Sequence, residues 1–569
     1  MWKDSPTMIF YSRNMTKNSE ILQLESQGCF CDDWSRIRIS EKTDLRKIRN
    51  VRFAGSVSIG SGAEIINVPG GLCDIRIGDN VRIGNVARIS RSPEASFGVG
   101  TDIDVLDETG HSIVRIYPGI SAQIATLCAR MPEYARAKLF PLIDSHIASL
   151  EHDMPEIGDN VTIIDSGVIS DVRIWSGVRI EGAARLHNGS IVGNSTSGPQ
   201  ATFVGHGVDA ENFIIEDATV KGGCLLRNTY AGQGVVLDKG FTSHDSLFFA
   251  NCSMENGEAC AVLAGPYTVS MHKSTLLIGC QTSFMNAGSA TNMSNHMYKL
   301  GPAHWGVLER GVKTASNSYI MHGSRIGAYS LVMGTHKTHP DTSALPFSYL
   351  FGDDSGKTTV VPGAMLKSFG LKRDMEKWPQ RDRRKDYDIP LHDRITFAIF
   401  NPATADAMLQ ALQMMEDIDT ASGDDDESGI VWHGLTISRK SLRKGRDLYD
   451  MALCRYIDLT TFSQDEDFHA GSTEARGRWV DLAGQVLPAE CLKETMTSES
   501  ISEMERRLSE ADSRFDRLQS IWIKTNLRNY MDNPDTVRQK SAALADLIEN
   551  DRITSVDTLA RHQEMLALL

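Results

Sequence analysis

Between residues 157 and 186 a large aliphatic side chain returns about every six positions, at Ile157, Ile163, Ile169, Ile174, Ile180 and Leu186. A small or turn-forming residue usually follows each one. No amphipathic helix has this spacing, because its apolar stripe recurs at three and four. Hairpin meanders turn at wider intervals. A six-residue period fits a solenoid whose short flats end in tight corners. Each coil then gives its open edge to the next, and the inward aliphatics stack into one continuous core. The register recurs at Phe53, Ile59 and Ile65, at Ile77, Ile83 and Ile89, and near Ile326. The residues expected to point inward are Ile59, Ile77, Ile83, Ile157, Ile163, Ile174 and Ile180.

These runs resemble the hexapeptide repeats of left-handed parallel β-helix proteins, in which three flats make a triangular coil of about eighteen residues. The stretch 22–60, with Trp34 and the segment Ile48-Arg-Asn-Val-Arg-Phe-Ala-Gly, looks like the start of an uncharacterised hexapeptide-repeat family. That resemblance runs from about 20 to about 395 and implies a fold without an assigned chemistry. The expected fold class is therefore mainly β: a left-handed parallel β-helix solenoid with a helical insertion and an all-α C-terminal domain.

At 569 residues the chain is too long for one ordinary core. The boundaries fall where the pattern changes. Residues 1–50 read as an N-terminal segment and cap, which a solenoid needs to cover its first apolar end. Residues 51–371 read as the β-helix, with an excursion at about 97–155. Within it, 105–117 reads as a hairpin turning at Glu108-Thr-Gly-His. Ser121 is placed to cap a helix carrying Ile124, Leu127, Cys128 and Met131. Of the 47 glycines only seven lie beyond residue 371, so the corners end there. Residues 372–400 are a charged linker, read as a solvated connector. Residues 401–569 read as α-helical, with Asn401 and Pro402 as N-cap and first turn. In that part Ile501, Met504, Leu508, Ala511, Phe515, Leu518 and Trp522 form a heptad seam, read as closing within the chain.

The net charge of −14 argues against a nucleic-acid partner. It argues equally against docking on an anionic membrane, and no apolar run reaches the ~18 residues that a span needs. Ten scattered cysteines without a C-x-x-C, and an N-terminus without a signal-like apolar core, predict reduced thiols and a cytoplasmic location.

The chain has no phosphate-loop motif, no H-E-x-x-H and no nucleophile elbow. His336-Lys-Thr-His339 has metal-compatible spacing but no third ligand placed with it, so no metal is expected. The stretch 284–340 is the one that spends amides, imidazoles and lysines where a solenoid wall would use Val, Ser and Thr. It contributes Asn292, Asn295, His296, Tyr298, Lys299, His304, Lys313, Asn317, His322 and His336. Asn295-His296-Met-Tyr298-x-x-Gly301 resembles the segment around the catalytic histidine of sugar-phosphate acetyltransferase domains of this fold, with the tyrosine one residue early. At a spacing of one regular coil, His304 and His322 would stack, which holds one imidazole neutral as a general base must be.

The resemblance implies acyl transfer from acetyl-CoA or another acyl-CoA to an amino-sugar, sugar-phosphate or nucleotide-sugar acceptor. His304 or His296 would be the base and His322 its neighbour. Asn292, Asn295, Tyr298, Lys299, Lys313, Asn317 and His336 would meet the substrate, the lysines at a phosphate. It also implies a homo-oligomer, with a trimer ahead of a dimer. The alternative is a non-catalytic solenoid scaffold or sugar-nucleotide binding module.

Overall fold

The computed structural model describes residues 12–15, 18–107, 112–150, 154–193, 202–294, 305–385, 387, 389–421, 429–461 and 475–567. A parallel β-solenoid of about 16 turns forms its centre. Its inward side chains stack in three columns. One runs through Ile48, Ile65, Ile83, Ile163, Ile180, Val204, Val220, Leu237 and Met254. A second begins Ile59, Ile77, Ile157, Ile174, Ile191, Ile215 and ends Thr282, Leu308, Ile326. The third begins Leu72, Ile89, Ile169, Leu186 and ends Met293, Ile320, His336. All seven isoleucines expected inward are at most 1% exposed, each worth about 1.5–3 kcal/mol on burial.

The corners explain why asparagine and aspartate recur between the aliphatics. Asn50, Asn67, Asn85 and Asp165 all have φ between 51° and 61°, a region that short polar side chains tolerate. Their side chains form a ladder: Asn50 donates to Asn67 (2.7 Å), Asn67 to Asn85 (2.9 Å) and Asn85 to Asp165 (2.8 Å). A second ladder runs from Asn188 through Asn212 and Asn228 to Asp245. Each ladder ends on a carboxylate, which accepts the last amide and has nothing left to donate.

The insertion leaves the stack intact, since Ile83 pairs directly with Ile163 and Ile89 with Ile169. It contains a hairpin, Asp102–Asp104 with Ile113–Arg115. The tip at residues 108–111, where the turn was expected, lies outside the described residues. The helices Ala122–Arg130 and Glu133–Ser149 follow, the first capped by Ser121 Oγ accepting from the Ile124 N–H at 3.2 Å.

At the far end Thr358–Val361 runs antiparallel to the last coil strand, Tyr349–Gly352. It then pairs with Leu435–Ile437 of a C-terminal hairpin, so the open solenoid edge is covered. The C-terminal region is helical but not all-α. Among the described residues it holds two hairpins, Ile430–Trp432 with Leu435–Ile437 and Trp479–Leu482 with Gln485–Pro488. Strands of three and four residues carry no readable period. Their turns, His433-Gly434 and Ala483-Gly484, have positive φ at both central positions, as two-residue hairpins require. The heptad seam is spent within the chain: Ile501, Met504, Leu508, Ala511, Leu518 and Trp522 are all buried. The helix it predicts is broken into Ile501–Ser513 and Phe515–Asn526.

The charged run after the helix Phe369–Gln380 is pinned to the solenoid. Arg384, 3% exposed, forks onto Asp382 with both contacts at 3.0 Å. Asp393 accepts the backbone N–H of Ala122 and of Ala250, each at 2.7 Å. His392 meets the buried Glu216 at 2.8 Å. A composition that reads as solvated is thus used to satisfy backbone donors of the insertion and the solenoid corner.

All ten cysteines are free thiols. Burial pushes Cys128, Cys224, Cys252 and Cys280 up to about 12, so they react slowly in the native protein. Titration of the denatured, unreduced chain should find ten thiols. Two or more missing would reveal a disulfide. Among the described residues no helix is long and apolar enough to cross a membrane.

Candidate functional site

Of the ten residues singled out in the sequence, five are described. Asn295, His296, Tyr298, Lys299 and His304 lie outside the described residues. Asn292 sits on the strand Asn292–Ser294 and accepts the Ser294 hydroxyl at 2.6 Å. Lys313 is ion-paired with Asp374 on the helix Phe369–Gln380. Asn317 is an exposed corner residue at φ 61°.

His322 is 1% exposed, with Nε2 at 2.6 Å from the Ile278 carbonyl. His336 occupies the end of the third inward column, fully buried between Thr358 Oγ1 (2.9 Å) and the Met333 carbonyl (3.1 Å). Burial lowers its imidazole to about 4, so it is neutral and part of the core. The coil here is also longer than eighteen residues, because Asn292 pairs with Tyr319. The extra length falls before Trp305, because Val307 pairs with Arg325 and Leu308 with Ile326 at the expected eighteen; His304 itself lies outside the described residues.

A different place brings chemistry together. Where the solenoid meets the insertion and the C-terminal region, a cleft of about 300 Å³ opens. Its floor is the second inward column's flat, at Gln281–Ser283, Val307–Arg310 and Arg325. One wall is the start of the helix Pro402–Ala421, with Thr404, Asp406 and Gln410. The Asn401 side chain caps that helix, accepting from the N–H groups of Ala403 (3.0 Å) and Thr404 (3.1 Å). The other wall is the hairpin Trp479–Leu482 with Gln485–Pro488, and Arg130 closes the rim from the last turn of the helix Ala122–Arg130.

Buried Arg310 latches these parts. Its guanidinium donates to Asp481 (2.6 Å) and to the carbonyls of Thr396 (2.5 Å) and Gly484 (2.7 Å), and lies 4.6 Å from the Phe284 ring centre. Arg325 is held by Glu309, through Nε at 2.8 Å and a terminal nitrogen at 2.7 Å. Arg130 and Arg478 are exposed and have no ion pair or hydrogen-bonded side-chain partner among the described residues. The charge left over is thus two guanidiniums against Asp406, whose carboxyl burial pushes up, with Gln410 at 2.8 Å and Arg478 acting the other way. Gln281 is 6% exposed, and its Oε1 is buried with no hydrogen-bond partner among the described residues. Guanidiniums suit phosphate or carboxylate, while the amide and carboxylate oxygens accept hydroxyls. No histidine lines the cleft among the described residues.

Arg130, Glu309, Arg325, Asp406 and Arg478 were not singled out in the sequence. Their positions are scattered along the chain, and only coiling and C-terminal docking unite them. One signal was available: Glu309-Arg310 puts two charges side by side where a flat would continue with apolar and hydroxyl residues.

The comparisons with known proteins fall on the same body. A family model described as "Domain of unknown function (DUF4954)" matches residues 12–76 and 72–419, well over half of the chain. No curated protein matches it.

Proposed function

The chain belongs to the family described as Domain of unknown function (DUF4954), and we propose that it uses its solenoid to hold a small anionic, hydroxyl-bearing ligand of the sugar-phosphate class in the arginine cleft. The observation that carries this reading is the pair of guanidiniums, Arg130 and Arg478, unengaged among the described residues and facing the same cleft as Arg325. At about 300 Å³ the cleft is at the small end for ligand pockets, which favours a monosaccharide phosphate over a coenzyme A derivative. Gln281 and Asp406 supply acceptors for its hydroxyls. The reading keeps the non-catalytic binding module of the sequence analysis and puts a sugar phosphate in place of its sugar nucleotide.

Acyl transfer to such a ligand, with His296 or His304 as base and an acyl-CoA as donor, is a further proposal that rests on the resemblance of the repeats alone. A cytoplasmic location is proposed on the ten free thiols.

Calorimetric titration with glucose 6-phosphate, glucose, a nucleotide sugar and acetyl-CoA separates these readings. Glucose 6-phosphate should bind and glucose should not. The double variant R130A/R478A should weaken binding by about 10–100-fold per arginine lost, with an unchanged melting temperature because both side chains are exposed. Equal binding of glucose and glucose 6-phosphate, or full affinity in the double variant, would overturn the cleft as the site. Tight binding of acetyl-CoA would restore acyl transfer to first place.

A further inference from the structure

While Glu309 holds Arg325, the guanidinium's charge is already matched and only its other terminal nitrogen is open to an incoming anion. Glu309 grips Arg325 through two nitrogens, at 2.8 and 2.7 Å, on the floor of the cleft. We propose that the ligand's anionic group takes Arg325 from Glu309, and that the released Glu309 carboxylate binds a proton from solvent, so that anion binding and proton uptake are one event. The proposal rests on the reading of the cleft as an anion site and specifies how that site is regulated.

Charge balance favours the exchange. With Arg310 committed to Asp481 and Arg325 to Glu309, the cleft retains Arg130 and Arg478 against Asp406. That surplus is poorly matched to a dianion, and an ionised Glu309 would face the ligand as a like charge. Protonation removes that charge and turns a repelling oxygen into a hydrogen-bond donor.

The surroundings point the same way. Glu309 is 22% exposed in its side chain, and burial raises its carboxyl above the ordinary value although Arg325 opposes the shift. Asp481 from the C-terminal hairpin and Asp341 from the following coil push it up further, and Arg130 from the insertion helix faces it as well. Asp406 lines the opposite wall. The carboxyl is thus held in its ionised form chiefly by one guanidinium, the one that an anion would take.

The test uses the full chain and inorganic sulfate, which does not itself titrate near neutral pH. Sulfate is titrated calorimetrically at pH 7 in two buffers of different protonation enthalpy, at constant ionic strength. The wild type should take up about one proton per sulfate bound, and its affinity should rise as pH falls from 8 to 6. E309Q should bind several-fold more tightly at pH 7, take up no proton and show a flat profile. Binding by the wild type without proton uptake, or weaker binding by a folded E309Q, would overturn the exchange while leaving the anion site standing. The two wild-type measurements decide the matter even if E309Q fails to fold. Absence of saturable sulfate binding, or unchanged binding in R130A/R478A, would overturn the cleft itself and the exchange with it.

Discussion

Ile174→Asp should abolish the native fold or lower its melting temperature by about 10 °C or more. Ile174 is fully buried in the second inward column, between Ile157 of one coil and Ile191 of the next. The substitution removes about 1.5–3 kcal/mol of apolar burial. It also places a carboxyl where no partner can reach it, at a further cost of several kcal/mol even if it protonates. Coils stabilise one another only as neighbours, so a fault in one coil uncouples the stack on either side. The control lies on the same strand: Val168 is 41% exposed, and Val168→Asp should change stability by little. Circular dichroism melts of the two variants read the difference. Equal melting of both would show that the six-residue register does not define the inside.

Glu216→Ala should cost about 3–5 kcal/mol, the usual penalty for breaking a buried charge pair. Glu216, 1% exposed, accepts the Tyr230 hydroxyl (3.0 Å) and the Gly119 N–H (2.9 Å) while it pairs with His392 (2.8 Å). Truncation strands those donors and loosens the segment around residues 382–394 that ties the solenoid, insertion and C-terminal region together. The effect has a pH signature. Burial alone would lower the His392 imidazole, but the Glu216 carboxylate overrides it and raises it to about 9. Stability from a raised imidazole is fully present below its ordinary 6.5 and is lost as pH climbs through 9. Burial opposes the ionised Glu216 as well, yet His392 and the hydrogen bonds hold its carboxyl below the ordinary 4.5. Its share is therefore present above that value and lost in acid. The gap in denaturant midpoint between wild type and Glu216→Ala should be widest near pH 6 and narrow by pH 10. A gap that stays constant over that range would show that the pair is not ionic.

The inside of the solenoid was legible because a period of six has few other solutions and because every coil repeats it. The corners were legible as turn-forming residues, though not as ladders. That Asn67 bonds Asn85 depends on the coils being in register, which a single coil does not reveal. His336 shows where polarity misleads. An imidazole near the end of an inward column is neutralised and hydrogen-bonded there, so its chemical versatility is spent on packing. The coil from Asn292 to Tyr319 is longer than eighteen residues, yet the regular period is back by Val307, which pairs with Arg325. The arginine cleft was illegible for a different reason. Arg130, Arg325 and Arg478 meet only after the insertion helix and the C-terminal hairpin dock, and docking of that kind leaves no local pattern. The charged segment after residue 381 failed in the same way, since composition cannot tell a solvated carboxylate from one that accepts two buried N–H groups, as Asp393 does.

The cleft is tested most directly by a crystal structure of the protein grown with glucose 6-phosphate. The predicted result is phosphate oxygens within about 2.7–3.0 Å of the guanidiniums of Arg130, Arg325 and Arg478, with Glu309 turned away from Arg325. Ligand bound elsewhere on the solenoid, or an unoccupied cleft at saturating concentration, would contradict it.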